Sequence, residues 1–434
     1  MTDWFFDIIA SRLPTVEEML KKYSSVTTIP SWIKEKKKLW WVEKNVRIDV
    51  DKIEIAAVDG GGGYADLLGG GGFYIARAVA VYSSRSNPSR ELLIDIVKYR
   101  ARGYLDVIRT LAEIRVAQRA VQYLLPNSIL LMDGSFYVTM NYLFTKLLKI
   151  ISKPDRVGLG EFYLLDRLLE TIIELIKFVE NAEKKSIVVA FVSKDSTLKV
   201  LKEYLAYMFF NERYPKLAEL MEKYPVGNRK IFLRIYRESG DPELKSMLSL
   251  ILDTSYRDVQ LITDLVGASK GYTKPLLLGA LTEPIKRLRD KNYLKQLLSD
   301  TISIYPFREK QEEFNKRVET LINKVNSLKT PILSYVKVSE NEPPLMLEIF
   351  SQENIIETIG TRKFVNENSY FDKVTRILHR DYKGRRYYNL WLMYAHNYAR
   401  LSRKQFLYYI RYIEALLSRK HIRIPFTRRY SMEA

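Results

Sequence analysis

The stretch Ile53-Glu54-Ile55-Ala56-Ala57-Val58-Asp59-Gly60 constrains this chain most: a short apolar run with β-branched residues that closes on an aspartate and then on Gly60 to Gly63. That length and those boundaries predict a buried strand. A carboxylate where a buried strand gives way to glycine is held by the sheet yet faces the space above it, which is where open α/β sheets place their chemistry. The pattern recurs in Ser128-Ile129-Leu130-Leu131-Met132-Asp133-Gly134-Ser135. Two strands each ending in Asp-Gly bring two carboxylates to one sheet edge, and the remaining residues are expected to enclose that pair.

The first 45 residues read as an amphipathic helical arm, with Phe5, Ile8, Ile9 and Leu13 at helical spacing, followed by basic Lys34 to Lys38 and Leu39-Trp40-Trp41. Past the first aspartate, Gly60 to Gly63 and Gly69 to Gly72 predict a mobile hairpin connection, because glycine accepts positive φ without penalty. A strand over 73–82 follows. Leu92, Ile96, Leu105, Ile108, Leu111 and Ile114 recur mostly at three- and four-residue steps, predicting one long helix capped at Asn87 or Ser89 and running to about Leu124. Glu113 lies in its C-terminal third. After the Asp133 strand come helices over roughly 136–151 and 161–183, then a third buried strand over 187–192. Ser196 is expected to start the next helix. This alternation indicates an α/β sheet with helices packed on it.

Between 212 and 330 charged residues at helical spacing dominate, which reads as a helical insertion. Sheet character returns with a hairpin of 332–338 and 345–350, and the chain closes on a helical pair over about 390–417 with a basic tail. The expected divisions are therefore an arm over 1–45, a first core part over 46–211, the insertion over 212–330 and the core completion over 331–434.

With 70 basic and 51 acidic residues among 434, the formal net charge is +19, an excess suited to polyanionic partners, nucleic acid above all. Its 30 tyrosines offer rings on which unpaired bases stack. Cysteine is absent, which excludes disulfides, thiolate metal sites and a cysteine nucleophile. Met1-Thr2-Asp3-Trp4 carries acid where a secretory leader carries base, and no stretch approaches a membrane span, so the expected compartment is the cytoplasm.

Nucleotide binding by the glycines is disfavoured, since a phosphate-cradling loop needs Gly-Lys-Ser or Gly-Lys-Thr opening a helix, and these glycines lie between two expected strands. Two aspartates at strand ends with a glutamate on the intervening helix instead form an all-oxygen pocket suited to Mg²⁺ or Mn²⁺. Such ions activate water and clamp the oxygens of a phosphodiester displacement. A strand-end aspartate also serves as a plain turn-former. His396 lies in the apolar helical run Leu390 to Ala399, as a metal ligand or general acid/base, or as a core residue.

Taken together, Ala57-Val58-Asp59-Gly60, Leu67-Leu68-Gly69-Gly70, Ala76 to Tyr82, Leu131-Met132-Asp133-Gly134-Ser135, Gly271-Tyr272-Thr273-Lys274-Pro275, Tyr335-Val336-Lys337-Val338 and the closing Tyr388 with Ala395-His396 resemble the NurA family of archaeal nucleases. The resemblance implies an RNase H-like α/β core carrying a helical insertion. It implies a nuclease that prefers Mn²⁺, with Mg²⁺ as the alternative, and degrades single-stranded and duplex DNA. It further implies a homodimer that docks on the hexameric HerA translocase in DNA end resection, with 5′–3′ exonuclease action and single-strand endonuclease action. By resemblance, Asp59, Glu113, Asp133 and His396 hold the metal and Tyr388 positions a base or phosphate.

Departures from the family pattern carry expectations of their own. Gly61 stands where the first motif usually has serine, which predicts looser closure over the metal and favours a rival reading, a non-catalytic scaffold that binds DNA or an ATPase ring. A weaker rival is a structure-selective resolvase. No proline follows Tyr388, so neighbouring Tyr387 competes for its role. Glu91, placed at the start of the expected helix, competes less well with Glu113. Lys194, after the third strand, offers its cation to a phosphate or to solvent.

Overall fold

The computed structural model describes residues 6–23, 29–43, 53–223, 229–279, 281–288, 290–355, 362–366 and 369–426. Phe5 and the basic tail from residue 427 onward lie outside them. The chain forms two compact units, one of Met1–Trp40 with Thr197–Gly267 and one of Trp41–Ser196 with Ala268–Ala434. Both divide the chain at places other than the composition-based 45/46, 211/212 and 330/331.

The larger unit is built on one sheet. Its strands in chain order are β1 (Trp41–Glu43), β2 (Ile55–Asp66), β3 (Gly72–Tyr82), β4 (Ser89–Val97), β5 (Ile129–Asp133), β6 (Val188–Ser193), β7 (Gly271–Thr273), β8 (Leu276–Leu278), β9 (Lys329–Lys337), β10 (Leu345–Asn354) and β11 (Arg362–Phe364). Their spatial order is β1-β7-β9-β10-β6-β5-β2-β3-β4, with β8 pairing β9 and β11. The antiparallel meander β2-β3-β4 and the parallel additions β5 and β6, reached through helical crossovers, are the RNase H-like core. The β9–β10 hairpin extends it antiparallel from β6. The short strands β7 and β8 lie inside the stretch read as wholly helical. Only three residues long each, they are set by pairing with β9 and carry too little pattern to stand out among charged helices.

Alternation along the strands sorts the core. Ile55 and Ala57 on β2, Ile129 and Leu131 on β5, and Val188, Ala190 and Val192 on β6 face the helices Ser369–Arg380 and Leu390–Ala399, which press Val374, Ile377, Leu392, Ala395 and Ala399 onto them. Each large aliphatic side chain so buried contributes about 1.5–3 kcal/mol. The next residues in the same alternation are Asp59 and Asp133. The opposite face receives the helices Tyr104–Tyr123 and Phe136–Ile151, whose Phe136 packs on Phe191.

Two expected elements take another form. Residues 89–97 are the edge strand β4, and the helix begins only at Tyr104, after Gly103 at φ +86°. The four-residue step from Leu92 to Ile96 mimics a helix, but both side chains are exposed on a strand whose other face, Glu91 and Asp95, binds Arg115, Arg119 and Arg167. Gly60 to Gly63 are no hairpin connection. They are mid-strand in β2, in register with β3 from Ala78 to Ile75, and the turn is made by Gly69 and Gly70 at φ +91° and +88°.

The smaller unit is helical in its described residues, around Trp32, Trp40, Phe209, Phe210 and Leu261. The helix that Ser196 was expected to start begins at Val200. Its fully buried Lys202 donates to the carbonyls of Leu250, Asp253 and Tyr256 at 3.0, 2.6 and 2.6 Å. Burial pushes that ammonium down to about 8. Among the described residues no helix is long and apolar enough to cross a membrane.

Candidate active site

Asp59 is not at a strand end, yet it stands where its parallel neighbour stops. The last β2–β5 pair is Val58↔Met132, so Asp59 continues on β2 while Asp133 closes β5 beside it. Both side chains emerge on the face covered by the Leu390–Ala399 helix. Asn389 caps that helix, accepting from the amides of Trp391 and Leu392 at 3.0 and 3.2 Å, and such a cap contributes about 1 kcal/mol. At its other end Arg77 Nε donates to the Ala399 carbonyl at 2.8 Å. Anchored at both ends, the helix delivers His396, whose Nδ1 lies 2.8 Å from Asp59 Oδ2. One ligand atom from each of Asp59, Asp133 and His396 lies within 4.8 Å of the others.

The glycine tract explains how the site closes. A Cβ on Gly60 would meet Glu113 Cγ at 2.6 Å and Cδ at 2.9 Å, so the absence of a side chain beside Asp59 is what admits the Glu113 carboxylate from the helix on the opposite face. A Cβ on Gly61 would run into the Ala399 carbonyl and lie 3.0 Å from the Leu401 amide. The glycine in place of the expected serine therefore brings helix and strand into backbone contact, the reverse of looser closure. Gly62 and Gly63 likewise accept Leu105 and Phe406.

Tyr388 directly precedes the cap. Its ring is buried, its φ is +26°, and its hydroxyl donates to Asp133 Oδ1 at 2.6 Å. A non-glycine residue in that region is strained, and here the strain turns the ring into the site. Of the two competing tyrosines, Tyr388 is the one bonded to Asp133, and both line the cavity beside it. Glu91 lies on β4 and pairs with Arg115 and Arg119. The exposed ammonium of Lys194 lies 5.8 Å from the centre of the Tyr388 ring.

The electrostatics describe a cluster short of positive charge. Burial pushes Glu113 up to about 8, against Arg109 at 3.9 Å and with help from Asp59 and Asp133. Burial, then Asp59, also raises Asp133, opposed by the Tyr388 bond, Lys194 and His396. The hydrogen bond to Asp59 raises His396. Desolvation, then Asp133, lifts the Tyr388 phenol well above its ordinary value.

A divalent ion fits this donor set. Carboxylate oxygens with one imidazole suit Mn²⁺ or Mg²⁺, and Asp59, Asp133 and His396 each offer a ligand atom within 4.8 Å of the other two. Glu113 adjoins the trio from the other face, paired with Arg109.

A family model described as the NurA domain matches residues 53–401, most of the chain. This chain belongs to the NurA family. No curated protein matches it. Among solved structures it is similar to the NurA nuclease from Sulfolobus solfataricus, at 13% identity over 97% of this chain and 98% of that one, with a TM-score of 0.52. It is also similar to NurA bound to dAMP and manganese, at 17% identity over 95% and 96% of the two chains and a TM-score of 0.41. A third likeness is to NurA with manganese, at 16% identity over 96% and 99%, with a TM-score of 0.38.

Within this NurA fold the structure brings together Asp59, Asp133, His396 and Tyr388, while Glu113 lies against Gly60 on the other face, outside the ligand cluster, and Lys194 stands at the margin. Sequence reasoning missed Arg77 and Asn389, which fix the histidine helix, and Arg386 and Arg400, which line the cavity beside Asp133. Asn389 before an apolar helix was a readable cap signal. The arginines gave none, being three cations among 70.

Proposed function

We propose that this NurA-family chain is a metal-dependent DNA nuclease that hydrolyses phosphodiester bonds at DNA ends. The observation that carries this reading is the convergence of Asp59, Asp133 and His396 within 4.8 Å at the edge of an RNase H-like sheet, with Glu113 admitted through Gly60. Asp59, Glu113, Asp133 and His396 are the residues that would hold the ion, with Mn²⁺ the first choice for their donor set. When bound, the ion supplies the charge that activates water and offsets the developing negative charge of an in-line displacement.

The chain's own groups do the rest. Asp59 orients the His396 ring through Nδ1, leaving Nε2 as the nitrogen that would meet the ion. Tyr388 holds Asp133 in one orientation by its 2.6 Å bond, so its hydroxyl is committed to that carboxylate and acts by positioning it. Lys194 contacts a backbone phosphate beside it. The net charge of +19 supports a polyanionic substrate. With the glycine tract a packed strand, the one feature that favoured a non-catalytic scaffold disappears.

Family membership supports the finer reading: 5′–3′ exonuclease action with single-strand endonuclease action, a homodimer, a HerA-like hexameric translocase as partner, and a cytoplasmic site of action. Digestion of 5′- and 3′-labelled single-stranded and blunt duplex DNA with Mn²⁺, with and without chelator, tests it. Chelator-sensitive release of nucleotides supports the reading; DNA binding without any metal-dependent cleavage refutes it.

A further inference from the structure

A cavity of about 100 Å³ opens directly against the carboxylate cluster, lined by Asp133 and His396 on one side and by Lys194, Arg386, Asn397 and Arg400 on the other. It accommodates a phosphate group and is well below the roughly 300–1,000 Å³ of pockets that enclose drug-sized ligands. Three cations face one carboxylate there. The neighbouring cavity of about 270 Å³, which shares Lys194, Arg386 and Tyr388, sets three cations against Asp195 and Glu342, and Arg385 pairs with Glu342 at 3.8 Å. Positive charge is thus concentrated in the smaller cavity.

The cations there are also uncommitted. On the same stretch Arg376, Arg380 and Arg385 each pair with a carboxylate. Among the described residues no carboxylate pairs with Lys194, Arg386 or Arg400; Lys194 lies over the Tyr388 ring and Arg386 over the Tyr387 ring, at 5.8 and 5.1 Å. The positions of Lys194, just after β6, and of Arg400, at the end of the Leu390–Ala399 helix, follow from the elements that place Asp133 and His396. Unpaired guanidinium and ammonium groups around a phosphate-sized space match phosphate in charge and in hydrogen-bond geometry.

We propose that Lys194, Arg386 and Arg400 form a phosphate subsite that binds the phosphate next to the scissile one and so sets the register of the strand on the carboxylate cluster. The proposal rests on the nuclease reading, since Asp133 and His396 are a shared wall of both sites. The phosphate is either the terminal one of a DNA end or an internal diester, and the two sources differ in what they let the enzyme select.

The test is equilibrium binding of single-stranded oligonucleotides with Ca²⁺ in place of Mn²⁺, comparing wild type with Lys194→Gln, Arg386→Gln and Arg386→Lys, each checked for an unchanged melting temperature. The probes carry a 5′-phosphate, a 5′-hydroxyl, or one neutral methylphosphonate scanned through the linkages nearest the end. Arg386→Gln is expected to weaken binding about tenfold and to lower the slope of log Kd on log salt by about 0.7, the value for one phosphate contact on a single strand. Arg386→Lys is expected to restore the slope but not all the affinity. Loss of the 5′-phosphate that weakens wild type and not Arg386→Gln assigns the terminal phosphate; one methylphosphonate position with that behaviour assigns the internal diester. The proposal is overturned if the glutamine variants keep wild-type affinity and slope, or if they lose affinity equally for every probe. Failure of wild type to cut with Mn²⁺ is a separate result that sinks the nuclease reading and leaves the binding comparison readable.

Discussion

Gly60→Ala is the sharpest perturbation of this site, because it changes no charge and removes no ligand. The backbone at Gly60 does not need positive φ, and the three atoms nearest the added methyl all belong to Glu113, with Cγ at 2.6 Å and Cδ at 2.9 Å. Ordinary carbon contacts lie at about 3.5–4.0 Å, so the glutamate must retreat by roughly 1 Å. Its chain is flexible, and overpacking of this kind costs about 1–3 kcal/mol at most. A 1 Å misplacement of a catalytic group costs about 100-fold in rate, equivalent to about 2.7 kcal/mol of barrier. Gly61→Ala provides the contrast: its methyl strikes the Ala399 carbonyl, which is backbone and cannot rotate away. The assays are Mn²⁺-dependent release of nucleotides and thermal melting. Gly60→Ala is expected to lose about 100-fold in kcat with melting nearly unchanged, and Gly61→Ala to lose stability foremost. Wild-type kcat in a folded Gly60→Ala protein would refute the argument that this glycine exists to admit Glu113.

Three further perturbations probe other links. Tyr388→Phe removes the donor 2.6 Å from Asp133 and leaves a half-buried carboxylate short of one bond, at a cost of about 1–3 kcal/mol; kcat should fall and metal affinity change, as read by calorimetric Mn²⁺ titration, and an unchanged enzyme would show the bond to be incidental. Glu348 is buried on β10 against the first turn of the Phe136–Ile151 helix, accepting from the Tyr137 amide at 3.2 Å, and burial lifts it from 4.5 to about 7. Between those values the folded chain keeps a proton that the unfolded chain has released, so this stability is full below about pH 4.5 and is lost as pH rises through 7, by up to about 3 kcal/mol. Glu348→Gln should flatten the fall of melting temperature between pH 5 and 8; an unchanged slope would contradict the assignment. Lys202→Met strands three buried carbonyls and should destabilise the smaller unit by about 3–5 kcal/mol in denaturant unfolding, whereas a midpoint equal to wild type would mean water replaces the ammonium.

The parts legible in the sequence were those whose cause is local. Asp59 and Asp133 announced themselves because apolar runs followed by glycine leave few conformations open, and the eight-residue step from Tyr388 to His396 survived as one cap and two helical turns. The parts that were misread have distant causes. A glycine tract has poor strand propensity and becomes β2 only because Glu113, Ala399, Leu105 and Phe406 each need the space of a missing side chain. The strand β4 turns acidic residues inward, and nothing near it in sequence reveals the arginines on two later helices that satisfy them. The cationic cavity beside Asp133 is likewise assembled from residues 194, 386 and 400, which only the fold brings together.

The most direct test of the central claim is nucleotide release from end-labelled single-stranded DNA with Mn²⁺, comparing wild type with Asp59→Asn. Asparagine keeps the shape and removes one anionic ligand, and it also weakens the hold on His396 Nδ1. The account predicts metal-dependent release by wild type and its loss in a folded Asp59→Asn protein. Equal release by the two proteins, or none by wild type while DNA still binds, would contradict it.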